Sequence, residues 1–162
     1  MLVPFDQIPD TARIWIFQSA VPLNESQMEE FHRVALSFVD SWTAHSKELK
    51  ASFIIVDQTF LIFSVDESAT GASGCSIDKL HHFIKGREQA MNLSLLNRLL
   101  VATPGTGTVN IFPFSDFTRR IERGEITPDQ QVYDCTLTRK GELKERFISP
   151  LSSTWLNRYL PV

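Results

Sequence analysis

The first third of the chain carries two hydrophobic patterns, one typical of a strand and one typical of a helix. Residues 13–19 are rich in β-forming side chains and predict a strand. Residues 28–42 repeat apolar side chains at helical spacing, which predicts a helix with one apolar face. Asn24 and Gln27 have the spacing of a capping box, so we expect this helix to begin after Asn24. We expect it to end near residues 44–45.

Two apolar runs and a second amphipathic segment follow. Residues 51–56 and 59–65 are nearly continuous in apolar side chains, and a two-residue polar turn at 57–58 joins them. This pattern predicts a hairpin of two well-covered strands. A loop of small residues, 66–74, then leads into a second helix that begins near residues 75–76.

The rest of the chain predicts shorter elements. We expect strands at 99–102, 109–112 and 132–137, a short helix that Ser115 caps and Gly124 ends, and weaker helical stretches at 141–146 and near Trp155 and Tyr159.

The order of these elements is β-α-β-β-α-β, followed by a small β-α-β extension. The first six match the order of a ferredoxin-like fold. We therefore predict an α+β fold with a mainly antiparallel sheet and helices packed on it. The whole chain, 1–162, is expected to form one domain, with a sub-boundary at the turn 104–107. The main part would then be 1–103, and the extension 108–162 would pack on it.

Composition excludes several classes of protein. The net charge is −3, which argues against a dedicated nucleic-acid-binding domain. The apolar fraction of 43% is enough for a sizeable core. No apolar stretch is long enough for a membrane helix, and the N-terminal residues lack the pattern of a signal peptide. Two cysteines make neither a disulfide scaffold nor a zinc site. We expect a cytoplasmic protein without a cofactor, whose partner is a protein or a small molecule.

One loop places reactive residue types together. Cys75 lies at the predicted start of the second helix, where backbone N–H groups and the helix dipole favour a thiolate. His45 would be the base and Asp66 would orient it, as in a small cysteine-dependent acyl- or thiol-transfer enzyme. Against this hypothesis, cysteine often serves as a small buried hydrophobe, and neighbouring carboxylates disfavour a thiolate.

The same loop also suggests binding of an anion or phosphate at residues 71–76. Ser73, Gly74, Ser76 and Asp78 would then be ligand-binding residues, although Ser73 or Ser76 fits plain helix capping as well. The chain has no P-loop lysine in the required pattern, so we expect no ATPase activity. The acidic residues match no calcium-binding loop, and we expect no metal site.

Six blocks of the chain resemble a family of short bacterial proteins that genome listings often label "ABC transporter ATPase". These blocks are residues 12–18, 42–45, 49–53, 65–68, 73–78 and 155–158. The resemblance implies a bacterial, cytoplasmic protein with no established activity, and the missing P-loop gives the label no support. Residues 114–129 resemble the helix–turn–strand of GYF-like bacterial modules, which implies protein or peptide binding by the C-terminal part.

No catalytic constellation is complete in the sequence. Our first hypothesis is therefore a non-enzymatic binding or interaction protein. The cysteine-dependent enzyme is the alternative, and anion binding at the loop is a weaker one.

Overall fold

The structure, a computed structural model, describes residues 1–161. The α-helices are α1 (Glu25–Asp40), α2 (Gly74–Met91), α3 (Phe114–Glu122) and α4 (Glu142–Arg146). The strands are β1 (Arg13–Gln18), β2 (Thr43–Ala44), β3 (Lys47–Glu48), β4 (Lys50–Val56), β5 (Phe60–Asp66), β6 (Leu100–Pro104), β7 (Val109–Pro113), β8 (Gln131–Tyr133) and β9 (Ile148–Pro150). Short 3-10 helices lie at Phe5–Gln7, Leu151–Ser153 and Trp155–Tyr159.

Three antiparallel strands form the central sheet, in the order β1-β5-β4. The turn between β4 and β5 contains Asp57 and Gln58, whose φ angles are 49° and 55°. Two successive left-handed residues are the conformation of a type I′ turn, whose twist matches that of the strands it joins. The predicted hairpin is confirmed, and β5 is buried along its whole length.

The helices α1 and α2 cover one face of this sheet. The side chain of Asn24 accepts from the backbone N–H of Gln27, and the Gln27 side chain accepts in return from the Asn24 N–H, so the predicted capping box is confirmed. The core under the helices is rich in aromatic rings, which bury large apolar areas and prefer the edge-on contacts seen here. Its aromatic members include Phe17, Phe31, Phe38, Phe53, Phe63, Phe83 and Trp42.

The first helix ends at Asp40, so the predicted end at residues 44–45 is wrong. The Ser41 hydroxyl donates to the Ser37 carbonyl and stays outside the helix. Trp42 then turns inward, where it is 1% exposed and its indole N–H donates to the Ser76 carbonyl at 2.9 Å. The apolar pattern continues to Trp42 because this residue packs against α2, although the helix has already stopped.

The C-terminal part of the chain covers the opposite face of the sheet. The rings of Phe60 and Tyr133 lie 4.4 Å apart, and Phe147 packs against both. The Tyr133 hydroxyl donates to the Asp57 carboxylate at 2.6 Å, at the tip of the β4-β5 hairpin. These contacts pack β8 and the segment around Phe147 on the central sheet.

The α+β fold with helices on an antiparallel sheet is confirmed, but β6 does not complete the ferredoxin-like sheet. A tight turn, closed by a hydrogen bond from the Gly105 N–H to the Thr108 carbonyl, pairs β6 with β7. The other side of β6 lies beside β8. The outer edge of β1, where a ferredoxin-like fold has its fourth strand, is therefore left to other segments.

Candidate functional site

Cys75, His45 and Asp66 lie on three different segments of the chain. Cys75 is exposed in the first turn of α2. His45 is exposed in the turn between β2 and β3, with a φ angle of 49°. Asp66 ends β5. Among residues 1–161 no hydrogen bond joins any two of these three side chains, and their catalytic roles stay a prediction.

The Asp66 carboxylate bonds to its own surroundings. It accepts from the Ser68 backbone N–H at 3.0 Å and from the Lys50 ammonium at 3.1 Å. Hydrogen bonds from Ser68, together with Lys50, hold the pKa of Asp66 below its ordinary value, although burial acts in the opposite direction. The ionised carboxylate thereby fixes the beginning of the loop against β4.

The residues predicted to bind an anion start α2. The Ser73 side chain accepts from the Ser76 N–H at 3.2 Å, and the Ser76 hydroxyl donates to the Ser73 carbonyl at 2.8 Å. Ser76 is fully buried, whereas Gly74 and Asp78 are exposed. This arrangement is that of an ordinary helix N-cap, and anion binding here stays a prediction.

The outer edge of β1 presents a gap in backbone hydrogen bonding. Ser19 N–H donates to the Thr59 carbonyl in the β5 direction, so the odd-numbered residues of β1 pair with β5 and the even-numbered ones face outward. Ile14 N–H donates outward to Thr138, and Ala20 N–H does so to Ser94, both at 2.9 Å. Between these two bonds, the outward N–H and C=O groups of residues 16 and 18 have no backbone partner among residues 1–161.

The chain leaves this edge because of Asp134. Its carboxylate accepts from both the backbone N–H and the hydroxyl of Thr136, which turns the chain after β8. Thr138 N–H donates to Glu142 and not to Ile14. The predicted strand 132–137 is therefore wrong in length, since β8 ends at Tyr133.

A cleft of about 140 Å³ opens beside this gap, and we call it the edge cleft. It is bounded by Ile16 and Gln18 of β1, by the segment that contains Arg98, and by Cys135 and Trp155. A cavity of roughly this size holds a group as large as a benzene ring. Four separate stretches of the chain thus meet around one small space.

Gln18 carries the most informative polar group in the edge cleft. Its residue is 9% exposed, and its Oε1 accepts from the Cys135 thiol at 3.6 Å. Its Nε2 is buried and has no hydrogen-bond partner within the described residues. A buried donor without a partner costs about 1–3 kcal/mol, so native proteins rarely keep one. The amide is therefore ready to donate to an acceptor that enters the cleft.

The Cys135 thiol is held neutral. Burial, with a smaller effect from the charge of Asp134, raises the pKa of this thiol to about 12. Because the thiolate is the reactive form, Cys135 is a packing and donor group and not a nucleophile at neutral pH.

Arg98 supplies positive charge at the rim of the edge cleft. It is exposed, and it takes part in none of the ion pairs formed by residues 1–161. Apolar walls from Leu96, Leu100 and Leu156 line the cleft below it. The site therefore combines apolar walls with the buried donor of Gln18 and the cation of Arg98, and Asn97 and Thr136 also line it.

Sequence reasoning missed Gln18 and Arg98. The available signal for Gln18 was its position, since it follows Ile14 and Ile16 on the same face of a partly buried strand. A polar side chain at the end of such a row has to find a partner in the core. Arg98 gave no signal, because only the fold brings it to β1.

Comparison with protein-family models, with curated proteins and with solved structures finds no match to this chain. No group of three or more His, Cys, Asp or Glu side chains in the described part of the chain could hold a metal ion. None of the helices within residues 1–161 is both long and apolar enough to cross a bilayer.

Proposed function

We propose that this protein is a non-enzymatic cytoplasmic binding protein, and that the edge cleft binds a small ligand that carries a carboxylate next to an apolar group. The single observation that carries the proposal is the buried Gln18 Nε2, which lacks a partner among residues 1–161. A carboxylate oxygen is a strong acceptor for this amide and pairs well with the nearby cation of Arg98. Both cysteines are free, which fits a reducing compartment.

The cleft's size limits the ligand. About 140 Å³ accommodates a short aliphatic or single-ring group and not a nucleotide or a large cofactor. The apolar walls would contact this group, while Gln18 and Arg98 would fix the orientation of the carboxylate. Arg98 is exposed, so its contribution weakens as salt is added.

The test uses a set of small carboxylates at millimolar concentration, namely butyrate, hexanoate and benzoate, with benzyl alcohol as the uncharged comparison. Binding is followed by shifts of backbone amide signals in NMR. We expect shifts at residues around the edge cleft with a carboxylate and much weaker ones with the alcohol.

The variant Gln18→Leu separates binding from stability. It removes an unpartnered buried donor, which favours folding, and also the acceptor of the Cys135 thiol, a weak donor, so we expect little net change in the free energy of unfolding. We expect the carboxylate affinity to fall at least about tenfold, which corresponds to 1.4 kcal/mol. The exposed Gln89→Leu on α2 is the matched control and should change neither quantity. If no carboxylate shifts the cleft signals, or if Gln18→Leu binds as well as the native protein, the proposal is overturned.

A further inference from the structure

The outer edge of β1 offers free backbone groups that a small carboxylate would leave unused. The N–H and C=O groups of Ile16 and Gln18 point outward at the two-residue repeat of a strand. This repeat matches the backbone of an extended peptide, which adds to an exposed sheet edge through its own N–H and C=O groups.

The ends of the gap limit what can be added. Thr138 bonds to Ile14 at one end and Ser94 bonds to Ala20 at the other. Ile14 and Ala20 are six residue steps apart, which span roughly 20 Å at about 3.3 Å per step. A long strand that ran past either end would collide with the segments that close it, so the gap suits only a few residues at the end of a chain.

Charge decides which end of a chain fits. Arg98 is a cation without an ion-pair partner among residues 1–161, and Gln18 Nε2 is a buried donor. A peptide C-terminus brings a carboxylate to both groups, whereas an N-terminal ammonium would be repelled by Arg98 and could not accept from the amide.

The apolar space accounts for one side chain. Leu96, Leu100 and Trp155 border a cleft of about 140 Å³ next to Gln18. A leucine-sized or ring-sized side chain fills such a volume. The last residue of the peptide would therefore be apolar.

We propose that the edge cleft binds the C-terminal end of an extended peptide with an apolar last residue, which adds to β1 as a short strand. This inference rests on the proposed function, since the carboxylate is the same group at the same residues. It adds two points: the ligand pairs with the backbone of Ile16 and Gln18, and the ligand is the C-terminal end of a polypeptide.

The test compares three N-acetylated tetrapeptides that end in leucine: one with a free C-terminus, one with a C-terminal amide, and one with a free C-terminus and N-methylated backbone amides. Titration calorimetry measures their affinities. We expect the free acid to bind at least about tenfold more tightly than either of the others. Hydrogen exchange at the Ile16 and Gln18 amides should slow when the free acid binds, because both become hydrogen-bonded.

Two variants identify the groups involved. In Arg98→Gln the free acid and the amide should bind with similar affinity. Arg33→Gln removes an exposed arginine of α1 that also lacks an ion pair among residues 1–161, and it should leave the difference intact.

The outcomes separate the two proposals. If small carboxylates bind at Gln18 but the N-methylated peptide binds as well as the free acid, or if the Ile16 amide is not protected, strand addition is overturned while the proposed function stands. If neither small carboxylates nor peptides bind at the edge cleft, both are overturned.

Discussion

The loop before α2 and the edge cleft differ in where their polar groups find partners. In the loop, Asp66 bonds to Ser68 and Lys50, and Ser73 and Ser76 bond to each other. In the edge cleft, the buried Nε2 of Gln18 has no partner among residues 1–161. The loop holds the more reactive residue types, yet its polar groups serve the fold. We therefore base the proposed binding site on unmet hydrogen-bonding capacity and not on residue type.

The largest effect tests whether the loop is structural. Trp42→Ala removes a buried ring and the hydrogen bond to the Ser76 carbonyl at the start of α2. We expect the free energy of unfolding, measured by urea denaturation, to fall by about 3–5 kcal/mol. Trp155→Ala, at the half-buried wall of the edge cleft, should cost clearly less. Equal losses would show that the two regions contribute equally to the free energy of unfolding, against our comparison.

The two thiols offer a chemical test of the same contrast, because one lies in each region. At pH 8 we expect the exposed Cys75 to react with a thiol reagent at least about 100-fold faster than Cys135, whose pKa is raised to about 12. The rates are measured on Cys135→Ser and Cys75→Ser. If Cys75 reacts faster than free cysteine, the catalytic hypothesis gains support, and the interpretation that the loop is only structural loses support.

The raised pKa also sets a direction for stability at high pH. The fold keeps the Cys135 thiol neutral. Its contribution to the free energy of unfolding is therefore fully present below the ordinary pKa of 9.0 and is lost as the pH rises from there towards about 12.

The smallest effect concerns the carboxylate that anchors the loop. The pKa of Asp66 is lowered in the fold. The contribution of this carboxylate to the free energy of unfolding is therefore present above the ordinary pKa of 3.8 and is lost as the pH falls below it. In Asp66→Asn we expect a loss of about 1 kcal/mol at neutral pH and a flatter acid limb of the stability curve. Asp78→Asn, exposed in the same region, is the control and should keep the native acid limb.

Local patterns predicted the parts of the fold that local forces decide. The capping box of Asn24 and Gln27 and the turn at Asp57 and Gln58 each depend on neighbouring residues, and both are present. The predicted length of β8 was wrong because the Asp134 carboxylate accepts a hydrogen bond from the Thr136 N–H, which ends the strand. Strand propensity does not account for such side-chain bonds to the backbone.

The edge cleft could not be predicted from the sequence, because four distant segments form it. Gln18 reads as the end of a strand and Arg98 as a surface residue, and neither suggests chemistry alone. Conversely, Cys75 and Asp66 suggested chemistry by residue type. The hydrogen bonds of Asp66 depend on where the fold places Lys50 and Ser68, which residue type alone does not show.

The meeting of these segments has a consequence for folding. The edge cleft requires β1 at one side and Trp155 at the other, so it exists only after the C-terminal part has docked on the sheet. A ligand that spans this junction is linked to docking and stabilises the assembled state by RT ln(1 + [L]/Kd), about 2.7 kcal/mol at a hundredfold excess over Kd. Occupancy would thus slow the separation of the C-terminal segments from β1.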